Sequence, residues 1–324
     1  MAELFPPAAP RRHLLSIADL SREEVERILD TAASLAASLQ GAAARKLPAL
    51  RGRTVVNLFY EASTRTLASF ELAAKRLSAD TLSLRSSGSS VDKGESLKDT
   101  ALTLAAYDPD VIVVRHPSAG APALVARWVE ASVVNAGDGR HQHPTQALLD
   151  LHVLRGALGG LEGIRVAIVG DVLHSRVARS LVQALRLMGA EAVLVGPPTL
   201  VPRSLESLGC RVEWGIEAIA DADAVYCLRL QRERMGEALL PSLREYAARY
   251  GITPGRLRPG QVVLHPGPMN RGVEIDARVA DSPACLATAQ VRAGLAVRMA
   301  VLYDLVAVPA PAAASGAPRE AVVA

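Results

Sequence analysis

Strand and helix alternate along this chain, which predicts an α/β protein: two doubly wound parallel-sheet domains with helices on both faces. Two further observations shape that expectation. The alternation restarts after about residue 144, so the chain divides into two units. A long apolar helix then closes the sequence and is expected to return to the first unit. The predicted organisation is residues 1–144 plus the closing helix at about 288–306 as one domain, 145–287 as the second, and 307–324 as a disordered tail.

The elements follow in order. The Pro/Ala-rich start is loose, and "SIADLSREEVERILDTAASLAASL" has helical spacing at Val25, Ile28, Ala32 and Leu35. Ser21 with Glu24 three residues on makes a capping box. "TVVNLFY" (54–60) reads as a buried strand. "TLASFELAAKRL" reads as a helix with Leu67, Phe70, Ala74 and Leu77 on one stripe. "TLSL" is a short strand, "RSSGSSVDKGES" (85–96) a polar loop, and "LKDTALTLAAY" a helix. "DVIVVRH" and "SVVNAG" are strands separated by the helix "ALVARWV". "HPTQALLDLHVLRGAL" is a helix with Pro144 in its first turn.

In the second unit "RVAIVGD" (165–171), "EAVLVGP", "ADAVYCLRL" and "QVVLHPGP" are strands. "SRVARSLVQALRLMG" is a helix closed by Gly189, "SLESLG" ends another, and "AQVRAGLAVRMAVLYDLVAV" is the closing helix.

Half of the 324 residues are hydrophobic and only 3% aromatic, so the core is expected to consist of Ala, Leu and Val. The net charge is +3, and the four lysines (46, 75, 93, 98) form no basic run, so nucleic acid is not an expected partner. Three cysteines without a CxxC pair fit a reducing compartment and argue against structural zinc. No signal-like start and no run of about eighteen apolar residues is present, so no membrane segment is expected and the predicted location is the cytoplasm.

Ligands of open α/β sheets bind beyond the carboxyl ends of strands, so the chemistry is sought there. Ser63, Thr64 and Thr66 crowd around Arg65 where a strand gives way to a helix. Hydroxyls, a planar guanidinium and the free N–H groups of a helix start make an oxyanion cradle. An ordinary N-cap needs one of these residues, not all four. Arg115 and His116 end "DVIVVRH"; a lone strand-end arginine is more often a surface residue, and it is the resemblance described below that implies a functional Arg115 with His116 in support. His143 stands at a helix cap with Gln146 on the same face three residues on, a pair suited to a carbonyl oxygen and an amide NH2. His141 and His143 have ligand-like spacing, but no third or fourth metal ligand is evident. "AIVGDVLHSRVARS" carries Gly170 without the further glycines of a dinucleotide turn, so no nicotinamide cofactor is expected. Arg229 and Gln231 share a face if their strand continues.

"EASTRTLASFELAAKRL" resembles the Ser-Thr-Arg-Thr motif of the transcarbamoylases, and the resemblance extends from about residue 13 to 306. It implies that Ser63, Thr64, Arg65 and Thr66 bind the phosphate of carbamoyl phosphate, and that Arg115 holds the phosphate and the carbamoyl oxygen. It implies that His143 polarises that oxygen, Gln146 meets the carbamoyl nitrogen, and the turn at Gly267 and Pro268 places carbonyls near the attacking amine. Arg176, in a G-D-x-x-x-x-R-V match, would take an α-carboxylate; Arg229 and Gln231, with Lys93, would take a side-chain carboxylate. Ser89 and Lys93 would come from a neighbouring subunit of a homotrimer, and Glu61 would pair with Arg234 when the domains close. Leu67 departs from the pattern, because many members carry Arg there.

The ornithine branch shares Ser-Thr-Arg-Thr and His-Pro-x-Gln, but typically has His-Cys-Leu-Pro and an acidic motif. This chain has "HPGP" (265–268), Arg229, Gln231 and the Lys93 loop, which suit L-aspartate. The resemblance thus implies carbamoyl transfer from carbamoyl phosphate to aspartate in pyrimidine synthesis, without metal or organic cofactor. The catalytic candidates are Arg65, Thr66, Arg115 and His143. A non-catalytic scaffold would be expected to have lost these residues. A regulatory chain or a dihydroorotase partner is compatible with the resemblance.

Overall fold

A computed structural model describes residues 13–39, 46–85, 94–231 and 239–306 of the chain. It contains two five-stranded sheets, every strand pair parallel. The first sheet has the order β1 (His13–Leu14), β5 (Ser132–Asp138), β4 (Val111–His116), β2 (Thr54–Phe59), β3 (Asp80–Arg85). The second runs β10 (Val262–Leu264), β9 (Ala224–Cys227), β6 (Arg165–Val169), β7 (Glu191–Val195), β8 (Arg211–Glu213). Each sheet reverses its winding once, between β2 and β4 and between β6 and β9. Such a switch point leaves a crevice at the strand ends, where the flanking connections depart in opposite directions.

The helices are α1 (Arg22–Leu39), α2 (Thr64–Arg76), α3 (Leu97–Ala105), α4 (Ala121–Trp128), α5 (Pro144–Leu158), α6 (Arg176–Leu187), α7 (Leu243–Tyr250), α8 (Ala277–Ala280) and α9 (Ala287–Val306). The closing helix α9 packs against α1, α2 and α5, which returns the chain to the first sheet. The core is aliphatic, with Tyr226 and Phe70 its largest fully buried side chains. Leu67, Phe70, Ala74 and Leu77 are all buried, so Leu67 serves packing.

Several expectations need correction. The stretch quoted for the first helix divides: α1 begins at Arg22, directly after its expected cap Ser21, while Ser16 and Asp19 close a separate 3-10 turn at Ile17–Asp19 with its own capping box. The Ser21–Glu24 box does open α1: Glu24 N donates to Ser21 Oγ, and Ser21 N to Glu24 Oε2. The segment Arg203–Leu208 is a 3-10 turn, not the end of an α-helix. The strand expected over 222–230 pairs only at Ala224–Cys227. Strands β1 and β8 and helices α7 and α8 add to the elements read from the sequence. The tail 307–324 and most of the 85–96 loop lie outside the described residues.

Candidate active site

A cleft of about 430 Å³ opens between the carboxyl ends of the two sheets. The first sheet contributes the 61–66 turn after β2, Arg115 from β4, and His143 and Gln146 at the start of α5. The second contributes Arg176 after β6, Arg229 and Gln231 after β9, and the 265–268 turn after β10. The cleft therefore spans both switch points. Ser89, Lys93 and Arg234 lie outside the described residues.

At α2 the cap position is Ser63, with extended φ −159° and ψ 93°, and its hydroxyl makes no cap hydrogen bond. The ordinary-cap reading therefore does not account for this serine. Its hydroxyl, with Thr64 and Arg65, lines the cleft at the positive end of the helix. Thr66 is buried beside them. Arg65 lies against the 265–268 turn: a Cβ on Gly267, at φ 66°, would stand 2.9 Å from the Arg65 Cζ. The Gly267–Pro268 peptide is cis. Burial first, then the neighbouring Arg229 charge, lowers the Arg65 pKa, so this corner carries concentrated positive charge.

Arg115 donates from Nη1 to the Ala136 carbonyl at 3.0 Å and from Nη2 to Glu61 Oε1 at 2.9 Å. Arg176 forks onto the same carboxylate, Nη1 to Oε2 at 3.0 Å and Nη2 to Oε1 at 2.5 Å, and also reaches the Gly139 carbonyl at 3.1 Å. One carboxylate thus bridges an arginine of each sheet. Gly137, at φ 117°, makes this possible, since a Cβ there would lie 2.9 Å from Arg176 Nε and 3.0 Å from Arg115 Nη1.

His143 caps α5 without a side-chain cap bond, and its main-chain N–H donates to Ser180 Oγ at 2.8 Å. Burial, reinforced by Arg115, Arg176 and Arg298, holds its pKa well below the usual histidine value. The ring is therefore a neutral imidazole near pH 7, able to donate one hydrogen bond without carrying charge. His141 bonds Asp138 at 3.0 Å and is half exposed, so the two histidines do not converge on one point. His116 accepts from the Ser118 N–H at Nδ1, and its ring lies 4.9 Å from that of Tyr60 at a tilt of 52°.

Beyond Cys227 the chain leaves the ladder but keeps its alternation: Leu228 and Leu230 are buried, while Arg229 and Gln231 face the cleft. Asp171 secures this segment, accepting from Gln231 N at 3.0 Å and contacting His174 Nδ1 at 2.7 Å.

Sequence reading missed three residues here. Arg298 and Gln290, both on α9, line the cleft, and Asp150 on α5 lies buried behind Gln146. Each is a polar residue that the helix buries among apolar neighbours, which the sequence does not distinguish from the other polar residues of α5 and α9. Arg298 Nη1 donates to Ser69 Oγ at 2.8 Å, and its guanidinium lies 5.1 Å from the centre of the Phe70 ring.

Two family models match the chain. Residues 12–156 match the carbamoyl-phosphate-binding domain of aspartate/ornithine carbamoyltransferase, and residues 162–305 its aspartate/ornithine-binding domain. The aspartate carbamoyltransferase catalytic subunit of Acidothermus cellulolyticus is 57% identical over 317 residues, covering 97% of this chain and 98% of that protein. The same subunit from Salinispora arenicola is 58% identical over 301 residues, covering 91% and 97%. Aspartate transcarbamoylase from Trypanosoma cruzi, solved with N-(phosphonacetyl)-L-aspartic acid, superposes with a TM-score of 0.86 at 30% identity, covering 94% of this chain and all of that one. The catalytic subunit from M. jannaschii gives 0.80 at 37% identity, covering 91% and 98%. With both of its halves matched in order and the two sheets arranged as in these structures, the chain belongs to the aspartate/ornithine carbamoyltransferase family.

Proposed function

We infer that this chain transfers the carbamoyl group of carbamoyl phosphate to the amino group of L-aspartate, releasing phosphate and N-carbamoyl-L-aspartate. The observation that carries this reading is the single cleft into which two sheets direct separate cationic groups, Arg65 and Arg115 from one and Arg176 and Arg229 from the other. Two anionic substrates match that division. The similarity to catalytic subunits named for this reaction supports it.

The neutral amine nitrogen attacks the carbamoyl carbon, the new C–N bond forms, and the C–O bond to phosphate breaks. The amine proton passes to the departing phosphate, which needs no protein base. Charge develops on the carbamoyl oxygen, where Thr66, Arg115 and the neutral His143 donate hydrogen bonds. Ser63, Thr64 and Arg65 hold the phosphate, with Lys93 completing the cradle. Gln146 meets the carbamoyl nitrogen, beside the carbonyls of the Gly267–Pro268 turn. Arg176 takes the aspartate α-carboxylate; Arg229, Gln231 and Lys93 take the side chain. Arg176 is held by Glu61, so aspartate must displace that carboxylate, which would then be available to Arg234 on closure. The reaction requires no metal or organic cofactor.

The two sheets are read as two domains divided near residue 144. The functional unit is read as a homotrimer in the cytoplasm, with Ser89 and Lys93 crossing to a neighbouring site, serving pyrimidine synthesis. Regulatory-chain or dihydroorotase partners remain compatible with it. Among the described residues no helix is long and apolar enough to cross a membrane.

A colour assay for carbamoyl-aspartate on the purified chain tests the activity. Product from aspartate and none from ornithine is expected; product from ornithine alone, or from neither, overturns the reading. Mixing inactive Lys93→Ala and Arg65→Ala chains tests site sharing: partial recovery is expected, and none would count against the trimer.

A further inference from the structure

Behind Gln146 lies a buried acid that no step above uses. Asp150 is fully buried one turn further along α5. Three donors converge on its carboxyl: Gln146 Nε2 at 3.0 Å and Gln290 Nε2 at 2.7 Å on Oδ1, and Tyr226 Oη at 2.8 Å on Oδ2. They come from α5, α9 and β9, so the carboxyl joins both sheets and the closing helix. The chain of contacts continues to the far wall of the cleft. Gln290 Oε1 accepts from the His265 N–H at 2.8 Å, and His265 Nδ1 accepts from the Gly267 N–H at 2.8 Å.

We propose that Asp150 is a positioning residue for the transfer, holding the Gln146 amide toward the carbamoyl group and tying it through Gln290 and His265 to the 265–268 turn. The inference rests on the functional reading above and deepens it. Gln146 has two N–H bonds and one carbonyl. With one N–H given to Asp150, the rotation of the amide is fixed, and its carbonyl is left to accept from the NH2 of a carbamoyl group. Without Asp150 the amide is free to flip and present N–H groups to another donor. The ionisable groups that face Asp150 are Tyr226 on β9 and Arg298 on α9; Gln146 and Gln290 are neutral. The Tyr226 phenol is raised far above its ordinary value by burial and by Asp150, so it remains a donor. Arg298 is lowered only to about 10 by burial and remains a cation at neutral pH.

The test separates positioning from folding by comparing two probes. Inorganic phosphate engages the cradle at Ser63–Thr66 and has no amide. Phosphonoacetamide, a non-transferable phosphonate with a primary amide, also meets Gln146. Dissociation constants for both are measured by calorimetry on the full chain, its Asp150→Asn and Asp150→Ala forms, and Gln146→Leu as the floor. Tyr226→Phe, which keeps the ring and removes one donor, covers the case in which Asp150→Ala does not fold. The native chain is expected to prefer the amide probe. That preference falls by about fivefold or more in Asp150→Ala, and by a smaller but measurable factor in Asp150→Asn and Tyr226→Phe, while phosphate affinity stays within about twofold. A preference retained in all of these variants, or an equal loss for both probes, overturns the role. Failure of the native chain to bind either probe would instead overturn the functional reading.

Discussion

Two helix starts in this molecule share a serine cap and an arginine, yet their side chains are committed differently. At α2, Ser63 caps without a side-chain bond and Arg65 turns to the cleft. At α6, Ser175 accepts from Ala178 N at 3.1 Å, and Arg176 is already bound to Glu61. The first arrangement leaves hydroxyl and N–H donors open to a compact anion. The second spends its hydroxyl on the helix and offers a guanidinium whose carboxylate partner must be exchanged. Similar residues are therefore committed differently at the two helix starts, as the proposed phosphate role of the first and carboxylate role of the second require.

The comparison can be broken most directly at the arginines. Arg65→Ala is expected to lower turnover on the order of 10² to 10³-fold, the range for removing one donor to developing charge. Arg176→Ala is expected to act mainly on the aspartate KM, raising it about tenfold to a hundredfold. Steady-state kinetics with each substrate varied checks both; a mainly aspartate-directed effect of Arg65→Ala would erase the distinction. His143→Ala sharpens it from a third position. Turnover should fall about a hundredfold with phosphate-analogue affinity within about threefold, because a neutral ring aids the carbamoyl oxygen rather than the phosphate.

A smaller effect concerns pH. Burial pushes the Asp150 carboxyl up to about 7, against the opposing influence of its hydrogen bonds and of Arg298. A folded-state value raised above the unfolded one gives stability that is present below about pH 4 and lost as pH rises through about 7. Asp150→Asn should therefore gain stability relative to the parent between pH 5 and 8, measured as the difference of two denaturation midpoints at each pH. A constant difference would mean that the carboxyl does not titrate in this window. The smallest effects lie at the two caps. Ser175→Ala should cost about 1 kcal/mol in chemical denaturation, as loss of a working cap does. Ser63→Ala should cost less than about 0.5 kcal/mol while weakening phosphate binding several-fold.

The long elements were legible because their patterns were strong. The Leu67, Phe70, Ala74, Leu77 stripe and the apolar runs at 54–60 and 110–116 each matched one period and one flanking turn signal. Strands β1 and β8 were not, since two or three residues cannot establish an alternation. The end of β9 was overestimated because alternation outlasts pairing: Leu228 and Leu230 stay buried after the ladder ends. In the cleft, residues with a local motif were found. Asp150, Gln290 and Arg298 were missed because their meaning depends on a meeting between α5, α9 and β9, and the first two are 140 positions apart. Arg65 could be read from its hydroxyl neighbours, but its packing on Gly267 could not.

Glu61 gives the cleft a carboxylate of its own. Its carboxylate joins Arg115 of one sheet to Arg176 of the other, so one negative charge is shared by two cations and offsets only one of them. On the role proposed for Arg176, a substrate carboxylate would exchange with Glu61 at that arginine, so this one contact would add to affinity only the difference between two ion pairs, with Arg229 and Gln231 adding contacts of their own. Such a placeholder keeps stray carboxylates weakly bound. On the same proposed role, it would also ease release of product, because Glu61 stands within reach to take the arginine back.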